Sequence, residues 1–522
     1  MTRTPTPVNF TLDLPEPNGS RTSQVARALI EAIAGGRLHD GDRLPSTRTV
    51  AATFGLARSA VVGAYEELTA AGFLVARPGG STYVEHGAAA AARAGAFGHP
   101  PAAGHQAPAS HQASPDPASH HPPRERPASK IRYDLRPGQA DLALISARDW
   151  TRAMRLATVP ARAPEDVTGL LHGHLGRISH QALRRQLSGH LRRARGLAAD
   201  PEDIFLFPSV TSALRAVALT CGLTGQPVAF EDPGYAKARL ALQQAGAVIR
   251  PVPVDDDGIR ADDLMPNDRA CYVTPAHQFP LGGRMPVRRR AGLLDWARGA
   301  GALVLEDDYD GEFRYDVPPL TPLRSMPTAE RHVVYFGTSS KILSRGLRVS
   351  WAVLPARFRA AMTACLDSSG EEVSQVSTAF LASFIATGAL SRHQSRAMRT
   401  YRARQARFVA ACRARIPAAR TLGIEAGLHV TLVFDPPLDD VAAVARLAGA
   451  GLACLPLSEF CAGPARRSGL ICGYSRLPET WADEAAALIG RVTAELARRS
   501  TPSTDGETGV SGGTCSEVCG AP

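Results

Sequence analysis

Lysine is nearly missing from this chain. Of its 59 basic residues only Lys130, Lys237 and Lys341 carry a primary amine. Chemistry that needs an amine nucleophile is therefore confined to three positions. Long apolar runs are also missing: no stretch approaches the ~20 residues of a membrane-spanning helix, so no membrane span is expected. The opening residues, MTRTPTPVNFTLDLPEP, hold no apolar segment of signal-peptide length, and the chain is expected in the cytoplasm. Nine cysteines are present, but none forms Cys-x-x-Cys or another zinc-ligand spacing. That argues against a structural zinc site and fits a reducing compartment.

What is present is bulk. A chain of 522 residues, 44% hydrophobic and 21% charged, reads as globular and too large for one core, so two or more domains are expected. The net charge of +10 is spread unevenly. Residues 1–86 hold 8 arginines against 8 acids, whereas 87–500 hold 51 basic residues against 38 acids. The surplus gathers in runs such as Arg184 to Arg195, Arg284 to Arg290 and Arg392 to Arg404. Such a surplus points to nucleic acid or anionic ligands, although arginine-rich helices also serve as plain solvated faces.

The stretch 87–130 is built of Ala, Pro, Gly, Ser and His with almost no aliphatic pattern, so it cannot bury a core. Its five histidines follow no ligand spacing. Residues 86–130 are accordingly expected to be a disordered linker, spanning on the order of 35–40 Å, and the low-complexity tail 501–522 is expected to be disordered too.

Ahead of the linker, residues 20–85 read as three helices and a hairpin. SQVARALIEAIAGG places Val25, Leu29, Ile30 and Ile33 on one face and ends at Gly35-Gly36,. Ser46 is positioned to cap a short helix, TRTVAATFG,. Gly55 then turns the chain into a third helix with Val61, Tyr65 and Leu68 on its apolar face, and FLVARPGGSTYV forms two short strands around Pro-Gly-Gly. Two helices across a short Gly-containing turn, followed by a hairpin, make a winged helix-turn-helix. The segment GRLHDGDRLPSTRTVAATFGLARSAVVGAYEELTAAGFLVARPGGSTYV closely resembles the GntR-type winged helix of bacterial transcription regulators. The resemblance implies double-stranded operator DNA as partner. Arg48 and Arg58 would reach phosphates or guanine edges, and Ser59 would hold backbone phosphates. Ser46, Thr47 and the wing Gly80 would complete the DNA-facing set. The family's usual SRxTV is ARSAV here, so Ala57 and Ala60 replace hydroxyl residues.

From about residue 131 to 500, apolar runs alternate with helical segments, the texture of an α/β domain. ALVLEDDYDGEFRY reads as a buried strand ending in acids, and HVVYFGTSSKILSRGLRVSWAVLP as a strand, three hydroxyl residues and then Lys341. Ligands in parallel sheets sit at the carboxyl ends of strands. A lysine there suits capture of an aldehyde, and pyridoxal 5'-phosphate (PLP) is the aldehyde whose needs the neighbours meet. Asp307 faces the pyridine nitrogen in this reading and Tyr309 the ring hydroxyl, while Thr338, Ser340 and Arg348 hold the phosphate. Taken singly, each has a mundane alternative: a turn cap, a core tyrosine, a surface ion pair.

EDDYDGEFRY, VTPAHQFPLGGRMPVRRRAGLLDWAR and GTSSK resemble the aminotransferase-like domain of MocR regulators, a branch of the GntR family. The resemblance implies a winged helix, a variable linker and a domain of fold-type I aminotransferase architecture, acting as a homodimer. It implies Lys341 as the aldehyde-capturing lysine and Tyr235, in EDPGY, against the cofactor ring. Three departures bear on mechanism. The phosphate turn is Pro208-Ser209-Val210-Thr211, leaving Thr211 as its best side-chain donor. The GYGDPxG segment is HGHLGRIS, with His172 or His174 in its place. Ile471, in GLICGYSRL, occupies the position of the arginine that binds a substrate carboxylate. Arg476, five residues on, is expected to point elsewhere, which leaves Arg136 as the remaining candidate for that task. The leading expectation is a transcription regulator sensing PLP, or a PLP adduct, as a small-molecule effector through a domain that does not transaminate efficiently. The alternatives are an active aminotransferase with a DNA-binding module, and a regulator that has lost PLP for another ligand.

Overall fold

The computed structural model describes residues 21–70, 73–77, 81–89, 131–158, 176–315, 321–463 and 467–500. In the N-terminal module α1 (Arg21–Ala34), α2 (Thr47–Thr53) and α3 (Arg58–Ala70) precede a hairpin of β1 (Leu74–Arg77) and β2 (Ser81–Val84). The face expected for α1 is the one that packs: Val25, Leu29 and Ile33 are buried, with Ile30 at the margin. Ser46 caps α2, its Oγ accepting the Thr49 N–H at 3.1 Å, which satisfies a donor that the helix itself cannot. Gly55 adopts φ +63° at the turn, a conformation that costs glycine nothing. Val61, Tyr65 and Leu68 of α3 are buried, and the Tyr65 hydroxyl donates to Pro45 O at 2.9 Å, tying α3 to the turn before α2. Residues 86–89, at the start of the segment read as a linker, fold back on this module. Asp40 accepts the Gly87 and Ala89 N–H groups at 2.7 and 3.0 Å. Residues 90–130 and 501–522 lie outside the described residues.

The C-terminal module is organised by strands β3 (Ile204–Phe207), β4 (Pro227–Asp232), β5 (Val248–Asp255), β6 (Gly258–Ile259), β7 (Ala270–Val273), β8 (Leu303–Asp307), β9 (Val333–Thr338) and β10 (Ser350–Val353). They form one mixed sheet in the order β3-β10-β9-β8-β7-β4-β5-β6. Five neighbours, β9, β8, β7, β4 and β5, run parallel; β10 runs against them, β3 beyond it returns to their direction, and the short antiparallel β6 closes the other edge. All residues of β7, β8 and β9 are buried. Strands covered on both faces lose the polar alternation of a half-exposed sheet, so these read as continuous apolar runs. Helices α4 (Ala147–Thr158), α5 (Gly176–Arg195), α6 (Val210–Thr220), α7 (Ala236–Gln244), α8 (Val287–Ala300), α9 (Ser339–Ile342), α10 (Gln375–Ala386), α11 (Ala389–Arg415) and α12 (Ala482–Ser500) accompany the sheets. A second, antiparallel sheet joins β11 (Ala419–Leu422), β12 (His429–Phe434), β13 (Leu455–Pro456) and β14 (Gly469–Gly473) in the order β11-β12-β14-β13. Parallel order brings the carboxyl ends of β4, β7, β8 and β9 to one edge of the main sheet, where ligand sites form in such folds. Among the described residues no helix is long and apolar enough to cross a membrane.

Candidate functional site

Asp307 is the last residue of β8 and lies opposite Phe336 of β9. Two residues beyond Phe336, Thr338 caps α9, accepting the Ser340 N–H at 3.1 Å, and its Oγ1 meets Ser350 Oγ at 3.0 Å. Lys341 follows within α9. Its Nζ donates to Gly138 O at 2.9 Å, a carbonyl from 203 positions earlier in the chain. Gly138 has φ +71°, and a Cβ there would stand 2.0 Å from Nζ. Glycine takes this left-handed conformation without strain and lets the loop roof the amine, where a side chain would displace Nζ,.

Burial brings the Lys341 ammonium down to about 8. The charges of Arg345 and Lys237 push the same way, against Asp310 and Asp307. The amine thus releases its proton near neutral pH, as a nucleophile must. Burial lifts the Asp307 carboxyl to about 7. Tyr272, stacked on Phe230 at 4.4 Å, donates its hydroxyl to Asp307 Oδ2 at 2.7 Å, while Asp307 Oδ1 is buried with no hydrogen-bond partner. An unpaired carboxylate oxygen in such a place calls for a donor, best a cationic N–H.

The aromatic residues converge beside this pair. Tyr235 sits at the N-cap of α7, edge-on to Phe279 at 5.8 Å, and Phe279 is edge-on to Tyr309 at 5.8 Å. The Tyr309 hydroxyl lies 2.9 Å from His277 Nδ1, which lies 3.0 Å from Asp310 Oδ2. Burial and the carboxylates of Asp310 and Asp307 raise the Tyr309 phenol well above its usual range. At the start of α6, Ser209 Oγ meets Thr211 Oγ1 at 2.9 Å and Ser212 Oγ at 3.0 Å while accepting the Ser212 N–H. That helix start offers a cluster of hydroxyls beside free N–H groups.

Lys341, Asp307, Tyr309 and Tyr235 are therefore brought together, with Thr338 and Ser340 adjoining on β9 and α9. Arg348, on the turn that follows α9, is exposed, adopts φ +54° and pairs with no described residue, so its guanidinium is open to an anion. Arg345, on the same turn, is an arginine whose charge is felt by both Lys341 and Tyr235. Sequence reasoning passed over Tyr272, His277, Asp310 and Gly138. His277 was visible within VTPAHQFP, but nothing local tells that its ring turns to Tyr309. Ile471 of β14 is fully buried opposite Thr431, in an apolar cluster that includes Leu457, Phe460 and Phe279. Arg136 and Arg476 both clasp Asp134, at 2.7 and 2.8 Å, and Arg476 also bonds Gln139 at 2.6 Å. His172 and His174 lie outside the described residues.

In the N-terminal module Arg48 projects from α2, and Arg58 and Ser59 open α3; all three are exposed. Ser46 is exposed and Thr47 half-buried at the start of α2. Gly80 lies outside the described residues.

Residues 21–84 match the family model described as bacterial regulatory proteins of the gntR family, and residues 150–486 match aminotransferase class I and II. The chain is 30% identical over 454 residues to the HTH-type pyridoxine biosynthesis transcriptional regulator PdxR of Corynebacterium glutamicum, covering 87% of this chain and 91% of that one. It is 30% identical over 466 residues to the probable rhizopine catabolism regulatory protein MocR of Rhizobium meliloti, covering 88% and 90%. Among solved structures, an archaeal alanine:glyoxylate aminotransferase superposes with a TM-score of 0.62 at 22% identity, over 70% of this chain and 91% of that one. At that identity the likeness speaks for the fold alone. With the winged helix, the mixed sheet and these relatives in agreement, the chain belongs to the MocR type of GntR-family transcriptional regulators, in which a helix-turn-helix domain precedes a fold-type I aminotransferase-like domain.

Proposed function

We propose that this regulator holds PLP at Lys341 as its effector, or as the anchor for an effector adduct, and does not transaminate efficiently. The observation that carries the reading is the pairing of a buried amine brought to about 8 with a buried carboxylate oxygen that has no partner, at one sheet edge. PLP, when bound, supplies an aldehyde for an amine and a ring whose protonated nitrogen draws electrons. Each part of it has a residue suited to it. Lys341 offers the amine, and Asp307 Oδ1 accepts a ring N–H. Tyr309 donates to the ring hydroxyl, and Tyr235 packs against the ring. Thr211, Thr338, Ser340 and Arg348 serve the phosphate. The winged helix holds operator DNA through Arg48 and Arg58, with Ser46, Thr47, Ser59 and Gly80 on the phosphates. In a homodimer the effector would shift the populations of two arrangements of the paired winged helices.

A working aminotransferase with a DNA-binding arm is the second reading, favoured by the intact Lys341 and Asp307. Ile471 weighs against it, because a buried isoleucine cannot bond a substrate carboxylate, and Arg136, the remaining candidate, is paired with Asp134, as is Arg476.

Reduction of the PLP-treated protein with borohydride followed by peptide mapping tests the assignment. The pyridoxyl label is expected on Lys341. Label confined to Lys130 or Lys237, or no label, would overturn it.

A further inference from the structure

We infer that His277 and Asp310 are positioning residues for Tyr309, fixing the tautomer of a buried hydrogen-bond chain so that the imidazole does not take the phenol proton and the phenol can donate to the cofactor's ring hydroxyl. This rests on the reading that PLP is held at Lys341.

Proton counting carries the argument. His277 Nδ1 lies within bonding distance of two oxygens, Tyr309 Oη at 2.9 Å and Asp310 Oδ2 at 3.0 Å. An ionised carboxylate only accepts, so the proton between His277 and Asp310 belongs on Nδ1. The far side of the ring agrees: His277 Nε2 is buried with no partner, and a bare nitrogen is tolerated there better than an unpaired N–H. With its proton on Nδ1, His277 cannot accept from Tyr309. The phenol oxygen instead shares the Nδ1–H, and its own proton goes not to the imidazole but to Asp310, whose side chain it also meets, or to the cofactor's ring hydroxyl when that is bound. That is the polarity a donor to a ring hydroxyl needs, and the opposite tautomer would draw the proton away.

The surroundings hold this arrangement in place. His277 and Asp310 are only 1% and 2% exposed. Gly282, Gly423 and Gly427 all have positive φ and crowd the imidazole; a Cβ on Gly427 would stand 2.3 Å from the ring and 2.4 Å from Asp310 Oδ2. His429 lies nearby, its ring tilted and its centroid 5.0 Å from that of His277. With it, the three side chains place ligand-type atoms within 4.8 Å of one another. However, His429 Nε2 already meets Pro280 O at 3.2 Å, and His277 Nδ1 is taken by Tyr309 and Asp310. The trio therefore reads as a hydrogen-bond chain rather than a metal centre.

The test uses the full chain loaded with PLP and reads the ratio of the two visible absorption bands at one fixed pH, with the circular dichroism of the bound chromophore. Asparagine presents an N–H close to where His277 Nδ1 stands, and leucine presents none. His277→Asn is expected to keep the wild-type ratio. His277→Leu is expected to move it at least threefold, in the direction set by Tyr309→Phe. Asp310→Asn is expected to move it the same way, because a neutral amide no longer holds the Nδ1–H with a negative charge, and the ring can take the tautomer whose Nδ1 accepts from Tyr309. Asp310→Asn, nearly isosteric, keeps the test open should the leucine variant fail to fold. A wild-type ratio in both His277→Leu and Asp310→Asn, with Tyr309→Phe shifted, would overturn the chain while leaving the cofactor site standing. No bound chromophore in the wild type would overturn the cofactor reading and this inference together.

Discussion

Asp307 and its acidic neighbours hold protons that an unfolded chain would have released. Burial lifts Asp307, Glu231 and Glu306 each to about 7, against ~4 for free carboxyls. Between those values the folded state binds more protons than the unfolded one. Stability therefore falls as pH rises through that window. The melting temperature of cofactor-free protein is expected to drop from pH 5 to pH 7, and to drop less in Asp307→Asn, which cannot ionise. A donor at Asp307 Oδ1 favours the carboxylate, so added PLP should flatten the wild-type curve as well. Equal slopes in wild type and Asp307→Asn would show that the carboxyl is not held protonated. Gly138 gives a second test at this scale. Gly138→Ala sets a methyl against the Lys341 amine and adds left-handed backbone strain of about 1–2 kcal/mol. It should leave the fold intact yet cut PLP capture at least tenfold, measured by pyridoxyl labelling. That Lys341, Asp307 and Tyr309 meet at one sheet edge was legible because the strands that carry them are plain. Gly138, Tyr272 and His277 were not, since their roles depend on which loop returns to which strand end.

At the level of elements, the two helices of the winged helix and strand β14 make opposite kinds of prediction. Arg48→Ala and Arg58→Ala should each weaken specific operator binding by ~1–3 kcal/mol if the residue reads a base. Gel-shift affinities unchanged in the double variant would show that DNA is gripped elsewhere. On β14, Ile471 leaves a ligand carboxylate without a guanidinium, and orientation of that kind accounts for ~7–11 kcal/mol of a barrier. A panel of amino acids and amines should therefore fail to convert bound PLP to its pyridoxamine form, followed by absorbance. Conversion within seconds by any of them would favour the enzyme reading. The elements themselves were legible where pattern and burial coincide. The α1 face showed a helical period, and β8 and β9 showed apolar runs because both their faces are covered. Strands such as β13, of two residues, have no room for a period; register with β14 creates them.

Over the whole molecule, composition alone separates a charge-neutral N-terminal module from a basic C-terminal one, and the family matches fall on the same two regions, 21–84 and 150–486. What composition cannot convey is communication between them. If the C-terminal site governs the winged helix, PLP must bind one DNA-competent arrangement better than the other, and linkage makes the effect reciprocal. The most direct test of that claim measures affinity for an operator selected from random DNA, with and without saturating PLP, in wild type and Lys341→Ala. The account predicts a change of about 5- to 150-fold in wild type, the usual range of such couplings, and none in Lys341→Ala. Equal affinities with and without PLP in wild type, or an equal response in Lys341→Ala, would contradict it.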